Sequence, residues 1–236
     1  MALQHFSVSV NNQKVTSFIH LPANTPQGVV LFCHGFPGTN RLPPLARILN
    51  DRGVGIVELN YRGDEACEGV FSFLGSIEDV EEAAKELRKK FPDVPLTALG
   101  FSAGGLYVSI AVRHNPDLFD RVVLLNPLVD ASFLSSDNPI MGRLWDEAGT
   151  VLTLQKPDVY AHEIETLQAK HNPIEFAGEI TTPIELVVST NDGVLPAAVA
   201  QKFYEKLKGE KSFVWIEGAK HGVSGDEKEI VETLLS

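Results

Sequence analysis

The amino-acid sequence predicts a mostly parallel α/β sheet that opens with an antiparallel hairpin and carries helices on both faces. Three patterns lead there: an alternating pair of segments at the start, short apolar runs after it, and amphipathic stretches between those runs. In residues 6–10, Phe-Ser-Val-Ser-Val, apolar and polar side chains alternate as in a strand buried on one face. Asn11, Asn12 and Gln13 supply turn chemistry, and the strand pattern resumes over residues 15–21. Residues 22–28, from Pro22 to Gly28, break it.

The pattern then changes. Residues 29–33, 55–59, 96–99, 122–125, 184–188 and 213–216 are short runs dominated by apolar residues. Such runs suit strands covered on both faces of a parallel sheet. Between them, Pro43 and Pro44 open a helix that carries Leu45, Ile48 and Leu49 on one face and stops at Gly53. Ser76 with Asp79 has the form of a capping box, ahead of Ile77, Val80, Ala84 and Leu87 at helical spacing. Residues 106–112 form a further helical run. Val199, Phe203 and Leu207 mark another, and Ile230, Val231, Leu234 and Leu235 the last, with Ser224 and Glu227 as its cap.

Residues 127–178 do not fit the alternation, because they join two strands by a connection far longer than usual. The stretch contains Met141, Trp145, Leu152 and Leu154, with breaks at Pro157 and Pro173. It reads as a cap over the sheet, about residues 128–178, inserted after the sixth strand of a single domain spanning 1–236.

Composition narrows the function classes. Of 236 residues, 44% are hydrophobic and 22% charged, ordinary for a soluble globular chain. No apolar run approaches the ~18 residues of a membrane span. The N-terminus has no basic stretch followed by an apolar one, so a cytoplasmic location is expected. A net charge of −11 repels phosphate backbones and anionic membrane surfaces, so nucleic acid is not an expected partner. The two cysteines, Cys33 and Cys67, make no disulfide framework, and Cys33 reads as a small buried residue. No Cys/His cluster has metal-ligand spacing, so no metal is expected. Oligomeric state is left open, a homo-oligomer included.

One motif carries chemistry. Gly100-Phe101-Ser102-Ala103-Gly104 lies between a predicted strand and a predicted helix, the context of a sharp turn that presents a nucleophilic serine. The turn is tight enough to demand small flanking residues, and the following helix N-terminus favours developing negative charge. Serine needs a base to react at neutral pH. Of seven histidines, His5 and His20 lie in the hairpin, His114 near the end of the helix after the motif, and His162 and His171 in the cap. His221 follows the last strand and so shares the sheet edge with Ser102. The acid that orients the imidazole is assigned to Asp192, at the carboxyl end of its strand, with Asp130 as the rival. For the oxyanion, the N–H groups of Ala103 and Phe36 are the candidate donors, since Pro37 has none. His34 is expected to order that loop by hydrogen bonding.

With His34-Gly35, the serine motif, Asp192 and His221 in this order, the chain resembles the α/β-hydrolase superfamily over nearly its whole length. His34-Gly-Phe-Pro-Gly38, Asn60-Tyr-Arg-Gly63 and Phe101-Ser-Ala-Gly-Gly105 are similar to small cinnamoyl/feruloyl esterases and serine aminopeptidase-like hydrolases. These relatives usually carry aspartate where this chain has Asn60. The resemblance implies acyl-serine chemistry without a cofactor, on a small-molecule ester. Met141, Leu144, Trp145 and Leu152 of the cap are expected to line an acyl or aryl pocket. Alternatives are an aminopeptidase, a thioesterase, a monoacylglycerol lipase, or a ligand-binding protein without activity. A peptidase needs a carboxylate for the substrate amine, for which Asp158, Glu163 and Glu165 are available on a helix expected to face solvent.

Overall fold

A computed structural model describes residues 3–38, 43–64, 67–222, 225 and 227–235. The opening hairpin is β1 (Leu3–Val10) and β2 (Gln13–His20), in a register that sets Val10 opposite Gln13. Its two-residue loop places Asn11 and Asn12 at φ 50° and 63°, a left-handed pair whose twist matches the strands and which asparagine tolerates. β2 joins β4 (Val54–Leu59) antiparallel. The remaining strands, β3 (Gly28–Cys33), β5 (Leu96–Phe101), β6 (Arg121–Leu125), β7 (Ile184–Ser189) and β8 (Lys211–Ile216), continue the sheet in parallel. The order is β1-β2-β4-β3-β5-β6-β7-β8 among the described residues. Every predicted apolar run is therefore a strand.

The runs are dominated by apolar residues because both faces are covered. Leu31 packs into the core on one side and its neighbour Phe32 into the core on the other, and both are fully buried. Helices α1 (Pro43–Asp51) and α8 (Glu227–Leu235) pack together on the Phe32 face. Helices α2 (Phe73–Lys90), α3 (Ala103–His114) and α7 (Ala197–Lys206) cover the other. In α8, Ile230, Val231 and Leu234 are buried, whereas Leu235 is exposed and belongs to no core. Ser224, expected to cap this helix, lies outside the described residues.

Helix α2 begins earlier than the sequence pattern suggests. Ser72 is its N-cap and accepts a hydrogen bond from the Gly75 N–H at 2.8 Å, so Ser76 and Asp79 stand inside the helix. Asp79 is buried and takes the Arg62 side chain (Nε to Oδ1, 2.7 Å) and backbone N–H (2.9 Å). Burial pushes the Asp79 carboxyl up to about 6, against the pull of Arg62.

The insertion between β6 and β7 contains a 3-10 turn (Ala131–Leu134) and helices α4 (Pro139–Val151), α5 (Pro157–Lys170) and α6 (Pro173–Phe176). Pro157 and Pro173 start helices rather than break them, since the first helical position needs no N–H. Glu163 of α5 is buried, not solvated: it accepts from Ser72 Oγ at 2.5 Å and from the Phe73 N–H at 2.8 Å. Tyr160 donates its hydroxyl to the Phe71 carbonyl at 3.0 Å. Among the described residues, no helix is long and apolar enough to cross a membrane.

Replacing Asp79 by Ala leaves the Arg62 guanidinium, only 11% exposed, without its main partner. The variant is expected to lose about 3 kcal/mol of stability, read from urea unfolding midpoints at constant m-value.

Candidate active site

The order of the sheet reverses around β3 and β5, because the chain leaves β3 toward β4 and returns to β5 on the other side. The loops that follow these two strands diverge there and leave a crevice at the carboxyl edge. Ser102 stands at the β5–α3 junction with φ 54° and ψ −121°, a backbone conformation in which a non-glycine residue stays only under constraint. The constraint is visible. Its N–H donates to the Leu125 carbonyl at 3.1 Å, and its carbonyl accepts from Gly105 (2.9 Å) and Leu128 (2.8 Å). Close approach also explains the flanking glycine, since a Cβ on Gly104 would lie 1.9 Å from the Cys33 carbonyl oxygen.

The predicted histidine and acid arrive at this serine. The Ser102 hydroxyl donates to His221 Nε2 at 3.0 Å, and His221 Nδ1 donates to Asp192 Oδ2 at 2.7 Å. The second Asp192 oxygen accepts from the N–H groups of Val194 (2.8 Å) and Leu195 (3.0 Å), which immobilises a nearly buried carboxylate. With its proton held on Nδ1, the ring presents a lone pair at Nε2. Asp130, the rival acid, caps the 3-10 turn instead, accepting from the Ser132 N–H (3.0 Å) and Asn172 Nδ2 (3.1 Å). Burial raises its pKa, but these bonds outweigh it and hold the carboxyl below the usual range. Other histidines are engaged elsewhere: His20 with Glu58 at 3.3 Å, and His114 with Glu81 at 2.8 Å.

Asn126 is a site residue that belongs to no motif of the sequence. At φ 42° just beyond β6, it donates Nδ2 to the His221 carbonyl (3.1 Å) and to Ser189 Oγ (2.9 Å). Its Oδ1 accepts the Ser189 N–H at 2.7 Å. One side chain thus ties the ends of β6 and β7 to the histidine loop. The available signal was an asparagine directly after an apolar run, at the edge that carries the serine.

The loop after β3 passes against Ser102, since a Cβ on Gly35 would sit 2.8 Å from Ser102 Cβ. His34 orders this loop by donating Nδ1 to the Gly35 carbonyl at 2.7 Å, while its own carbonyl accepts from the Tyr61 hydroxyl at 3.0 Å. Ala103 occupies the first helical position of α3, where no intrahelical acceptor exists for its N–H. Cys33 is fully buried, and burial pushes its thiol far up, which keeps it protonated and unreactive.

A cavity of about 520 Å³ opens over Ser102, lined by Phe36, Ala103, Met141, Leu144 and His221 among others. Two expected lining residues do not belong to it. Trp145 is turned about 100° from Leu144 on α4 and packs between Phe36 (4.9 Å) and Tyr160 (4.7 Å), facing a second cavity of about 330 Å³. Leu152 forms a bridge with Asp64 and pins the cap to the loop after β4. Ile140, Met141, Arg143, Leu144 and Glu147 are the residues of α4 that face the cavity, with Ile140, Leu144 and Glu147 spaced i, i+4, i+7.

Residues 24–173 match the profile of the family described as serine aminopeptidase, S33. The chain belongs to this family, within the α/β-hydrolase superfamily. A monoglyceride lipase homolog of Monkeypox virus is 22% identical over 91% of this chain and 88% of that protein. Among solved structures, the α/β hydrolase GrgF from Penicillium sp. sh18 superposes with a TM-score of 0.79 at 15% identity, covering 100% of this chain and 97% of that one. Est1E from Butyrivibrio proteoclasticus, solved with ferulic acid, superposes at 0.77 with 19% identity, covering 97% and 96%. At these identities the two structures are evidence of fold alone.

Gly35→Ala is expected to displace Ser102 and slow its labelling by a fluorophosphonate at least about tenfold. Gly142→Ala, with nothing within 4 Å of the added carbon, is the control and leaves the labelling rate unchanged.

Proposed function

We propose that the protein is a serine hydrolase of carboxylic esters that works through an acyl-Ser102 intermediate. The observation that carries this reading is the continuous chain of hydrogen bonds from Ser102 through His221 to Asp192. His221 Nε2 takes the hydroxyl proton as Ser102 Oγ attacks the ester carbonyl carbon, and Asp192 stabilises the imidazolium that forms. The N–H groups of Phe36 and Ala103 hold the oxyanion of the tetrahedral intermediate. As that intermediate collapses, the C–O bond to the alcohol breaks and His221 returns its proton to the departing oxygen. Water then attacks the acyl-enzyme with His221 again as base, releasing the acid and restoring Ser102.

The cavity supports an apolar acyl or aryl group. Phe36, Leu128, Phe133, Met141, Leu144 and Leu195 offer it no hydrogen-bonding side chain, while the charged groups among its lining residues, Arg143 and Glu147, are solvent-exposed. The expected result is turnover of p-nitrophenyl esters that Ser102→Ala reduces by about 10⁴-fold or more. Asp192→Asn is expected to lower kcat by a comparable factor with little change in KM, because it supplies the wrong hydrogen-bond partner to Nδ1. Absence of turnover in the intact protein across acetate, butyrate, long-chain and monoacylglycerol esters overturns the reading.

An aminopeptidase reading has one specific observation in its favour. Glu163 is consumed by Ser72 and Phe73, and Asp158 and Glu165 do not line the cavity, but Glu147 does. If Glu147 holds a substrate ammonium, Glu147→Gln cuts kcat/KM on aminoacyl p-nitroanilides about tenfold or more and leaves simple esters unaffected. Under the esterase reading the anilides are not turned over at all.

A further inference from the structure

The two edges of the sheet differ in what they show to solvent. β1 exposes Gln4, His5, Ser7 and Ser9, polar side chains that discourage pairing with another chain. β8 leaves Trp215 40% exposed, against Phe213 at a ring distance of 4.9 Å, and Phe213 rests on Tyr204 at 5.3 Å. Among the described residues, β8 pairs with β7 alone.

Ladder parity decides which backbone groups of β8 face outward. The Ile184 N–H donates to the Glu210 carbonyl at 3.0 Å and the Thr190 N–H to the Ile216 carbonyl at 3.1 Å, so the even-numbered residues address β7. Alternation then turns the N–H and C=O groups of Lys211, Phe213 and Trp215 to the free edge. A second β8 laid antiparallel must set outward residues opposite outward residues, which admits only registers that pair odd with odd. The register centred on Val214 sets Phe213 opposite Trp215, twice by symmetry, and brings Lys211 toward Glu217, the first residue of the turn after β8. A shift of two residues either way removes both charge pairs. Lys211 spends two of its three donors on the carbonyls of Tyr204 and Leu207, at 2.8 Å each, and keeps one; Glu217 is exposed and accepts from Thr190 Oγ1 at 3.3 Å through one oxygen, which leaves the other.

We propose that the protein forms a homodimer in which β8 pairs antiparallel with β8 of a second copy about a two-fold axis at Val214. The two sheets become one, the aromatic residues Phe213 and Trp215 cover each other across the axis, and the Lys211–Glu217 pairs select the register.

Sedimentation velocity at 0.15 M salt, where exposed charges are screened beyond roughly 8 Å, tests this against the −11 charge that each copy carries. The wild type is expected to sediment as a dimer at micromolar concentration. Lys211→Glu and Glu217→Lys each place like charges opposite one another twice, and each is expected to weaken the dimer at least about tenfold. Mixed in equal amounts, the two single variants restore it, because every contact then joins opposite charges. Lys211 also serves the end of α7, so far-UV circular dichroism checks its fold, and Trp215→Lys at the exposed position gives an independent loss of the dimer. A monomeric wild type, a dimer that survives all three variants, or single variants that fail to recombine overturns the proposal.

Discussion

The backbone of Ser102 is the constraint around which the rest of the site is arranged. Its left-handed conformation costs on the order of 1–3 kcal/mol and persists because neighbouring elements leave it no alternative. β6 supplies the Leu125 carbonyl, α3 returns the Gly105 N–H, and the start of the cap contributes the Leu128 N–H. The β3 loop closes in so tightly that Gly104 and Gly35 tolerate no side chain. A serine held this way projects its hydroxyl above the sheet edge instead of into a helix turn, and an acceptor placed at that edge can reach it.

Polar residues do the placing. Asn126 ties the His221 loop to the ends of two strands, and the Asp192 carboxylate is fixed by the two N–H groups that follow it. A buried carboxylate with hydrogen bonds on both oxygens is worth more here than in water, because the alternative is an unsatisfied group. The cap is held by the same means. Glu163 reaches across to the N-terminus of α2, where a carboxylate meets free N–H groups and the positive end of the helix dipole. Arg62 and Asp79 then lock that helix to the loop after β4. The cap and the N-terminus of α2 are therefore joined by buried polar contacts as well as by apolar packing.

How much of this was legible depended on the range of the interaction. The strands were readable because burial on both faces leaves a continuous apolar run, as at Val29, Val30, Leu31 and Phe32. The hairpin was readable because its turn demands residues that accept positive φ. The start of α2 was misplaced by one turn, since Ser72 and Ser76 offer the same local chemistry. The partner that engages Ser72 is Glu163, 91 residues away. In the cap, Met141, Leu144 and Trp145 are equally apolar, and nothing in their spacing says which of two cavities each one faces.

By itself the sequence determined the order of strands and helices, the turn that bears Ser102, and the edge at which His221 and Asp192 emerge. Each of these follows from local chemistry: periodicity, glycine and asparagine at strained turns, and chain order along a parallel sheet. Only the tertiary structure decided between Asp192 and Asp130, brought Asn126 into the site, removed Trp145 and Leu152 from the cavity, and engaged Glu163 in holding the cap. Those outcomes rest on distances between residues far apart in the chain. Such distances follow from how whole elements pack, which no short window of sequence encodes.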